Sequence, residues 1–256
     1  MADRQPLPPS PSTKRKLEDD APEPAVEKKR KIKKAKTPRQ RPGEDFDDTQ
    51  GLNLAIGRMD SQELITYVDS RTKQFEPKIS EMELEDQRLL VKSIKDTSLW
   101  QETRDKQHMP EFLENVASES LSEAAKSHGS PHTLVVAGAG LRAADLTRAL
   151  RKFHSANGAV AKLFAKHIKI QESIDFCKRK RITIGVGTPQ RIIDLLENGA
   201  LSSKDLKRVV IDASHVDAKR RGILEMKDTL NPLVKLLNTP LLRDRFTDGS
   251  TTVIFY

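Results

Sequence analysis

The chain has one cysteine in 256 residues and 4% aromatic residues. It has no apolar run approaching the roughly 20 residues that a membrane-spanning helix needs. A single thiol, Cys177, excludes a disulfide framework and a thiolate zinc site, and it suits a reducing compartment. Its context, Ile174-Asp-Phe-Cys177, fits the inner face of a helix, so a buried structural role is expected. The opening Met-Ala-Asp-Arg-Gln-Pro has no apolar signal core, and no histidine pair stands with carboxylates at metal-binding spacing. A soluble, intracellular protein without a metal is expected. Also missing is Gly-x-x-x-x-Gly-Lys-Ser/Thr, the loop whose backbone N–H groups and lysine cradle phosphates. Without it, ATP has no evident seat.

What is abundant is charge, 45 Lys and Arg against 37 Asp and Glu, for a formal net charge of +8. Its placement is more telling than its sum. Residues 1–43 are rich in Pro, Ser, Lys and Glu and poor in large apolar side chains, so burial cannot offset the entropy of ordering. A disordered basic tail is expected there. Lys28, Lys29, Arg30, Lys31, Lys33, Lys34 and Lys36 follow one another without an acidic residue, and Lys14, Arg15 and Lys16 lie upstream at the spacing of a bipartite nuclear import signal. Such a tail also binds phosphate by counterion release, with strong salt sensitivity.

Residues 44–110 read as a helix plus an extended arm. Asp60-Ser-Gln-Glu63 is a helix start, and Leu64, Ile65, Val68, Thr72 and Phe75 recur at helical spacing up to Pro77. From 76 to 107 the text is charged and aperiodic, with Leu84, Leu89, Leu90, Ile94, Leu99 and Trp100 as scattered anchors for an arm wrapping a surface. Residues 111–256 then alternate. Helices are expected at 111–126, 141–153, 170–179, 189–197 and 222–237, the last kinked or broken at Pro232. Strands are expected at 132–137, 159–164, 182–186, 207–212 and 252–255. This is the pattern of an α/β, doubly wound parallel sheet. Ligands collect at the carboxyl ends of such strands, an edge that here carries Arg142, Thr188, Arg191 and Asp212 to His215.

The densest signal is Ile182-Thr-Ile-Gly-Val-Gly-Thr188-Pro-Gln-Arg191. A β-rich run closes on Gly187, Thr188 is placed to cap a helix, and Pro189 occupies its first position, where a missing N–H costs nothing. Ile192, Ile193, Leu195 and Leu196 give that helix an apolar face, Asn198-Gly199 stops it, and Val209-Val-Ile-Asp212 is a buried strand. This β–α–β unit resembles the first RecA-like domain of DEAD-box RNA helicases. In that family a Gly-Thr-Pro-Gly-Arg turn contacts the RNA backbone, and an Asp-Glu-Ala-Asp strand end runs ATP hydrolysis. Thr188, Pro189 and Arg191 match the turn while Gln190 replaces its glycine. Asp212 matches the strand end, where Ala213, Ser214 and His215 replace glutamate, alanine and aspartate. A methyl group at Ala213 can neither accept a proton nor orient water. Arg142, after strand 132–137, corresponds to the arginine of a further RNA-contacting motif. The helix at 111–126 stands where the helicases put the helix after their phosphate loop. The resemblance therefore implies RNA-binding candidates Arg142, Thr188, Gln190 and Arg191 beside a degenerate ATPase motif, Asp212 to His215, with no catalytic residue.

A RecA-like domain without a phosphate loop, behind a basic tail, resembles the nucleolar family named for complementation of an Mcm-ten suppressor. Phe75-Glu-Pro-Lys-Ile-Ser-Glu, Asp96-Thr-Ser-Leu-Trp100, Gly129-Ser-Pro-His-Thr133 and Leu163-Phe-Ala-Lys-His-Ile-Lys169 carry that likeness. It implies a non-enzymatic ribosome biogenesis factor of the early small-subunit (90S) pre-ribosome, in the nucleus and nucleolus. Its partners would be pre-rRNA and small-subunit assembly factors, with no cofactor, small-molecule substrate or membrane. Two other readings stay open. Gly138-Ala-Gly140-Leu-Arg-Ala143 fits the dinucleotide fingerprint and allows an NADP-binding Rossmann-type reductase; alternatively, the domain completes an ATPase with a partner.

Overall fold

Apolar residues that alternate between two faces build the centre of the molecule. The structure is a computed structural model and describes residues 45–165 and 167–256. Its strands are β1 (Phe46–Asp47), β2 (Leu52–Asn53), β3 (Thr133–Val136), β4 (Ala159–Leu163), β5 (Ile182–Gly187), β6 (Arg208–Ile211) and β7 (Thr252–Phe255). Its α-helices are α1 (Ser61–Phe75), α2 (Glu81–Gln87), α3 (Met109–Val116), α4 (Gly140–Ala149), α5 (Ile170–Arg179), α6 (Pro189–Glu197), α7 (Lys227–Leu237) and α8 (Pro240–Thr247). β3 to β7 form a parallel sheet in the order β4-β5-β3-β6-β7, while β1 and β2 form a separate antiparallel pair.

Because side chains of a strand alternate, Leu134 and Val136 enter one core with Leu163, Val209, Ile211 and Val253, under α1, α5, α6 and α7. Val135 and Ala137 enter the other with Ile184, Val186, Val210 and Ile254, under α3 and α4. Helices therefore cover both faces, as a doubly wound sheet requires. At Gly187 β5 leaves no room for a side chain: a Cβ there would collide with the Leu163 carbonyl oxygen of β4.

Residues before the sheet differ from the expected arm. Ile56, Leu64, Ile65, Leu89 and Ile94 belong to the same core as the sheet, and α2 interrupts the aperiodic stretch. Ser80 and Glu83 close α2's first turn as a capping box, a signal present in the sequence. Leu99, expected as an anchor, is 89% exposed. The expected helix at 111–126 ends at Val116, and the chain then turns so that Leu121 enters the core and its carbonyl meets His132 Nε2 at 3.2 Å. The last long helix begins at Lys227 rather than 222 and runs through Pro232, and α8 follows it from the Thr239-Pro240 start. The helix at 141–153 divides into α4 and a 3-10 turn over Leu150–Phe153.

Candidate functional site

The carboxyl edge of the sheet is built by the residues that follow β3, β6 and β7. Beyond Ile211 the chain stays locked to its neighbours: Asp212 N–H donates to Val136 O at 2.9 Å, and the N–H groups of Ala213 and Ser214 donate to Tyr256 O at 2.8 and 2.7 Å. Asp212 is 1% exposed. Arg142, in the first turn of α4, meets it with Nε and Nη2, each 2.8 Å from a different carboxylate oxygen. Burial works against the guanidinium charge, yet the adjacent carboxylate outweighs it and raises the Arg142 pKa above its ordinary value. The pair is a planar, two-bond lock between α4 and β6. Ala213 is fully buried, and its side chain offers no acceptor. Burial, followed by the Arg142 charge, lowers the His215 pKa.

Arg191 is also turned inward. It is 8% exposed, with Nη1 2.9 Å from Ser173 Oγ and Nη2 3.1 Å from Ile168 O, so it ties α6 to α5. Thr188 precedes α6 in extended conformation without a side-chain capping bond, and Pro189 is the first helical residue. Gln190 is exposed and donates to Asp194 Oδ1, one turn along its own helix, at 2.8 Å. Sequence reasoning brings the four RNA candidates to one edge. The structure gives the two arginines internal partners and leaves Gln190 as the exposed member.

Two further pieces of chain pack against this edge. The β1–β2 hairpin turns at Gly51, where φ is +67°, and Asp47 Oδ1 accepts the N–H groups of Thr49 and Gln50 inside the turn. Leu52 then bridges to His215, Asn53 N–H donates to Ser214 O at 2.7 Å, and Val216 N–H to Gly51 O at 2.8 Å. Arg220 fastens the hairpin through two bonds to the Asp48 carboxylate, at 3.0 and 2.8 Å. Asp-rich turn chemistry ending in glycine was the available sign of it.

The second piece runs between Ile94, which bridges to Val253 in parallel, and α3. Here it holds Arg104, 6% exposed, whose Nη1 lies 2.7 Å from Phe255 O and 3.1 Å from Thr97 Oγ1, and whose Nη2 lies 2.7 Å from Thr97 O and 3.2 Å from Gly57 O. Burial lowers its pKa to about 10. A guanidinium held by three backbone carbonyls ties this segment to the end of β7. No sequence signal separates this buried arginine from its exposed neighbours.

A polar recess of about 450 Å³ remains, lined among others by Asn53, Arg58, Trp100, Thr103 and Ser214. Ser214 Oγ and Trp100 Nε1 have no hydrogen-bond partner among the described residues. Gly138, the first glycine of the dinucleotide-like motif, gives room to Ile223: a Cβ there would lie 3.2 Å from Ile223 Cα. Internal packing accounts for that glycine. Among the described residues no three His, Cys, Asp or Glu side chains gather as a metal would require. The basic residues Lys14 to Lys16 and Lys28 to Lys36 lie outside the described residues.

The chain is similar to a set of known proteins. A family model described as CMS1, U3-containing 90S pre-ribosomal complex subunit, matches residues 11–256. Protein CMS1 of Chaetomium thermophilum is 48% identical over 247 residues, covering 95% of this chain and 96% of that protein. Protein cms1 of Schizosaccharomyces pombe is 28% identical over 178 residues, 70% of this chain and 63% of that protein. Human protein CMSS1 is 34% identical over 109 residues, 43% of this chain and 39% of that protein. Among solved structures, S. cerevisiae Dbp5 bound to Nup159, Gle1, IP6 and ADP matches 52% of this chain and 30% of its own, with 16% identity and a TM-score of 0.37. A DEAD box protein from Methanococcus jannaschii matches 49% of this chain and 30% of its own, with 15% identity and a TM-score of 0.32.

Proposed function

The chain belongs to the CMS1 family of U3-containing 90S pre-ribosomal complex subunits, which places it in ribosome biogenesis, and from that premise we propose that it acts there without catalysis, as a nuclear and nucleolar subunit that works by occupancy. The observation that carries this reading is a carboxyl edge whose charged groups are already paired internally, leaving a polar recess of about 450 Å³. Arg104, the Arg142–Asp212 pair and the β1–β2 hairpin take up much of the carboxyl edge, the side on which doubly wound sheets bind their ligands. Activation of water at the end of β6 would also need an acceptor, and Ala213 has none.

In this reading pre-rRNA and assembly-factor proteins meet the outer surfaces of the domain. Arg142 and Arg191 hold the edge in shape, so direct RNA contact there falls to Gln190 and the partly exposed Thr188. Residues 1–43 supply most of the salt-sensitive affinity for phosphate, and the domain supplies placement. Gly138 packed on Ile223 weighs against a reductase, and a buried, already paired Asp212 weighs against a RecA module that completes a partner's ATPase.

Purification of the tagged full chain from growing cells at moderate salt tests the proposal. Recovery of early pre-rRNA with small-subunit assembly proteins is expected. A clean monomer without RNA would overturn it and reopen the dinucleotide reading.

A further inference from the structure

The opposite border of the sheet is open. Among the described residues β4 is its last strand and pairs with β5 alone. Leu163 O accepts Thr188 N–H at 3.1 Å, which fixes Leu163 and Ala161 as the residues whose backbone faces β5. By the alternation of a parallel strand, the N–H and C=O groups of Val160 and Lys162 then face away from the sheet. They open on a groove of about 600 Å³. Val160, Ile168 and Phe176 give it an apolar floor, and Lys162, Arg179 and Lys180 a basic rim. All three rim residues are exposed, and none is in an ion pair with a described carboxylate. Among the described residues Glu172 is the one carboxylate in the lining.

We propose that the β4 edge takes an extended acidic peptide of a partner protein as a sixth strand. Main-chain donors and acceptors alternate along the edge, which a peptide can answer bond for bond, whereas a phosphodiester backbone brings no N–H group to the carbonyls. The apolar floor receives every second side chain of such a strand, and the rim receives its carboxylates. A second copy of this chain is a poor occupant, because it would set Lys162 and its neighbours against an equally basic edge. The lysine and the bulge between Ala159 and Val160 are the devices that keep edge strands from pairing indiscriminately. The inference uses a different face from the carboxyl edge and stands whether or not RNA is bound there.

The test uses the full chain and three fluorescent probes: a short peptide alternating valine and glutamate, its valine–glutamine counterpart, and an oligouridine of similar length. Anisotropy at low salt should show the glutamate peptide binding at least about tenfold more tightly than the glutamine peptide, as complementary charge at an interface allows. Lys162→Glu with Lys180→Glu, both exposed positions, should weaken it by a similar factor. Val160→Pro, which removes an outward N–H without changing charge, should do the same. Hydrogen exchange at Val160 and Lys162 should slow on binding. If Val160→Pro disturbs folding, the charge variant and the exchange measurement still decide. Peptide binding that ignores these variants and leaves the two amides unprotected would belong to the basic tail and would overturn the proposal. Protection of the same amides by oligouridine in preference to the peptide would also overturn it, and would give the edge to RNA.

Discussion

Arg142→Met separates a structural lock from an RNA contact. Asp212 is 1% exposed, and its two carboxylate oxygens both depend on Arg142, at 2.8 Å each. Methionine keeps much of the apolar stem but leaves a buried carboxylate without its cation. Removing one partner of a buried pair costs about 3–5 kcal/mol, mostly the penalty of the stranded charge. For a domain of this size each kcal/mol is about 2–4 °C, so the melting temperature should fall by about 6–20 °C. Arg142→Met with Asp212→Asn removes both charges and should recover part of that loss, so the two effects should be far from additive. Urea unfolding of the two single variants and the double variant measures the coupling. If Arg142→Met melts within about 2 °C of the parent while RNA binding drops, the lock is not what Arg142 is for, and the arginine faces RNA after all.

Arg104→Met should destabilise by about 2–4 kcal/mol in urea, because Phe255 O, Thr97 O and Gly57 O lose their donor together. Acid should weaken the fold in two windows. Burial, with Arg208 beside it, holds His132 at about 4 rather than 6.5, so the unfolded chain takes up this proton first; stability rises with pH between those values, by about 2 kcal/mol from pH 5 to pH 7. His132→Gln should flatten that slope. Burial alone would raise the Glu119 pKa, but the hydrogen bond and charge of Arg208 hold it at about 2, so its contribution persists until pH falls below 4.5 and is lost by about 2. Acid titrations of unfolding with Glu119→Gln should lack this second loss. Deleting residues 1–43 should reduce the salt dependence of RNA binding more than any change within the domain; an unchanged salt slope would place the phosphate contacts elsewhere.

The sheet was legible because its strands, the edge strand β4 apart, are buried on both faces and read as short apolar runs, and each lies within two residues of its expected span. Helix ends were less so. Residues 117–126 are rich in Ala, Ser and Glu, yet Glu119 is drawn to Arg208 and Leu121 to the core, contacts that no local pattern announces. The hairpin at Phe46–Asn53 is too short for periodicity to show. The position of the candidate edge followed from the Thr188-Pro189 start and the Asp212 strand end, whereas the direction of its side chains did not. Arg142 and Asp212 are 70 residues apart, and an arginine in the first turn of a helix reads the same whether it meets a phosphate or a buried carboxylate.

The most direct test is calorimetric titration of the purified full chain with Mg²⁺-ATP and, separately, with NADPH. A carboxyl edge whose Arg104 and Arg142 are already spent on internal partners predicts no saturable heat with either. One-to-one binding of either nucleotide, lost in an Asp212 or Gly138 variant that still folds, would contradict that account of the edge and return the domain to enzymatic chemistry.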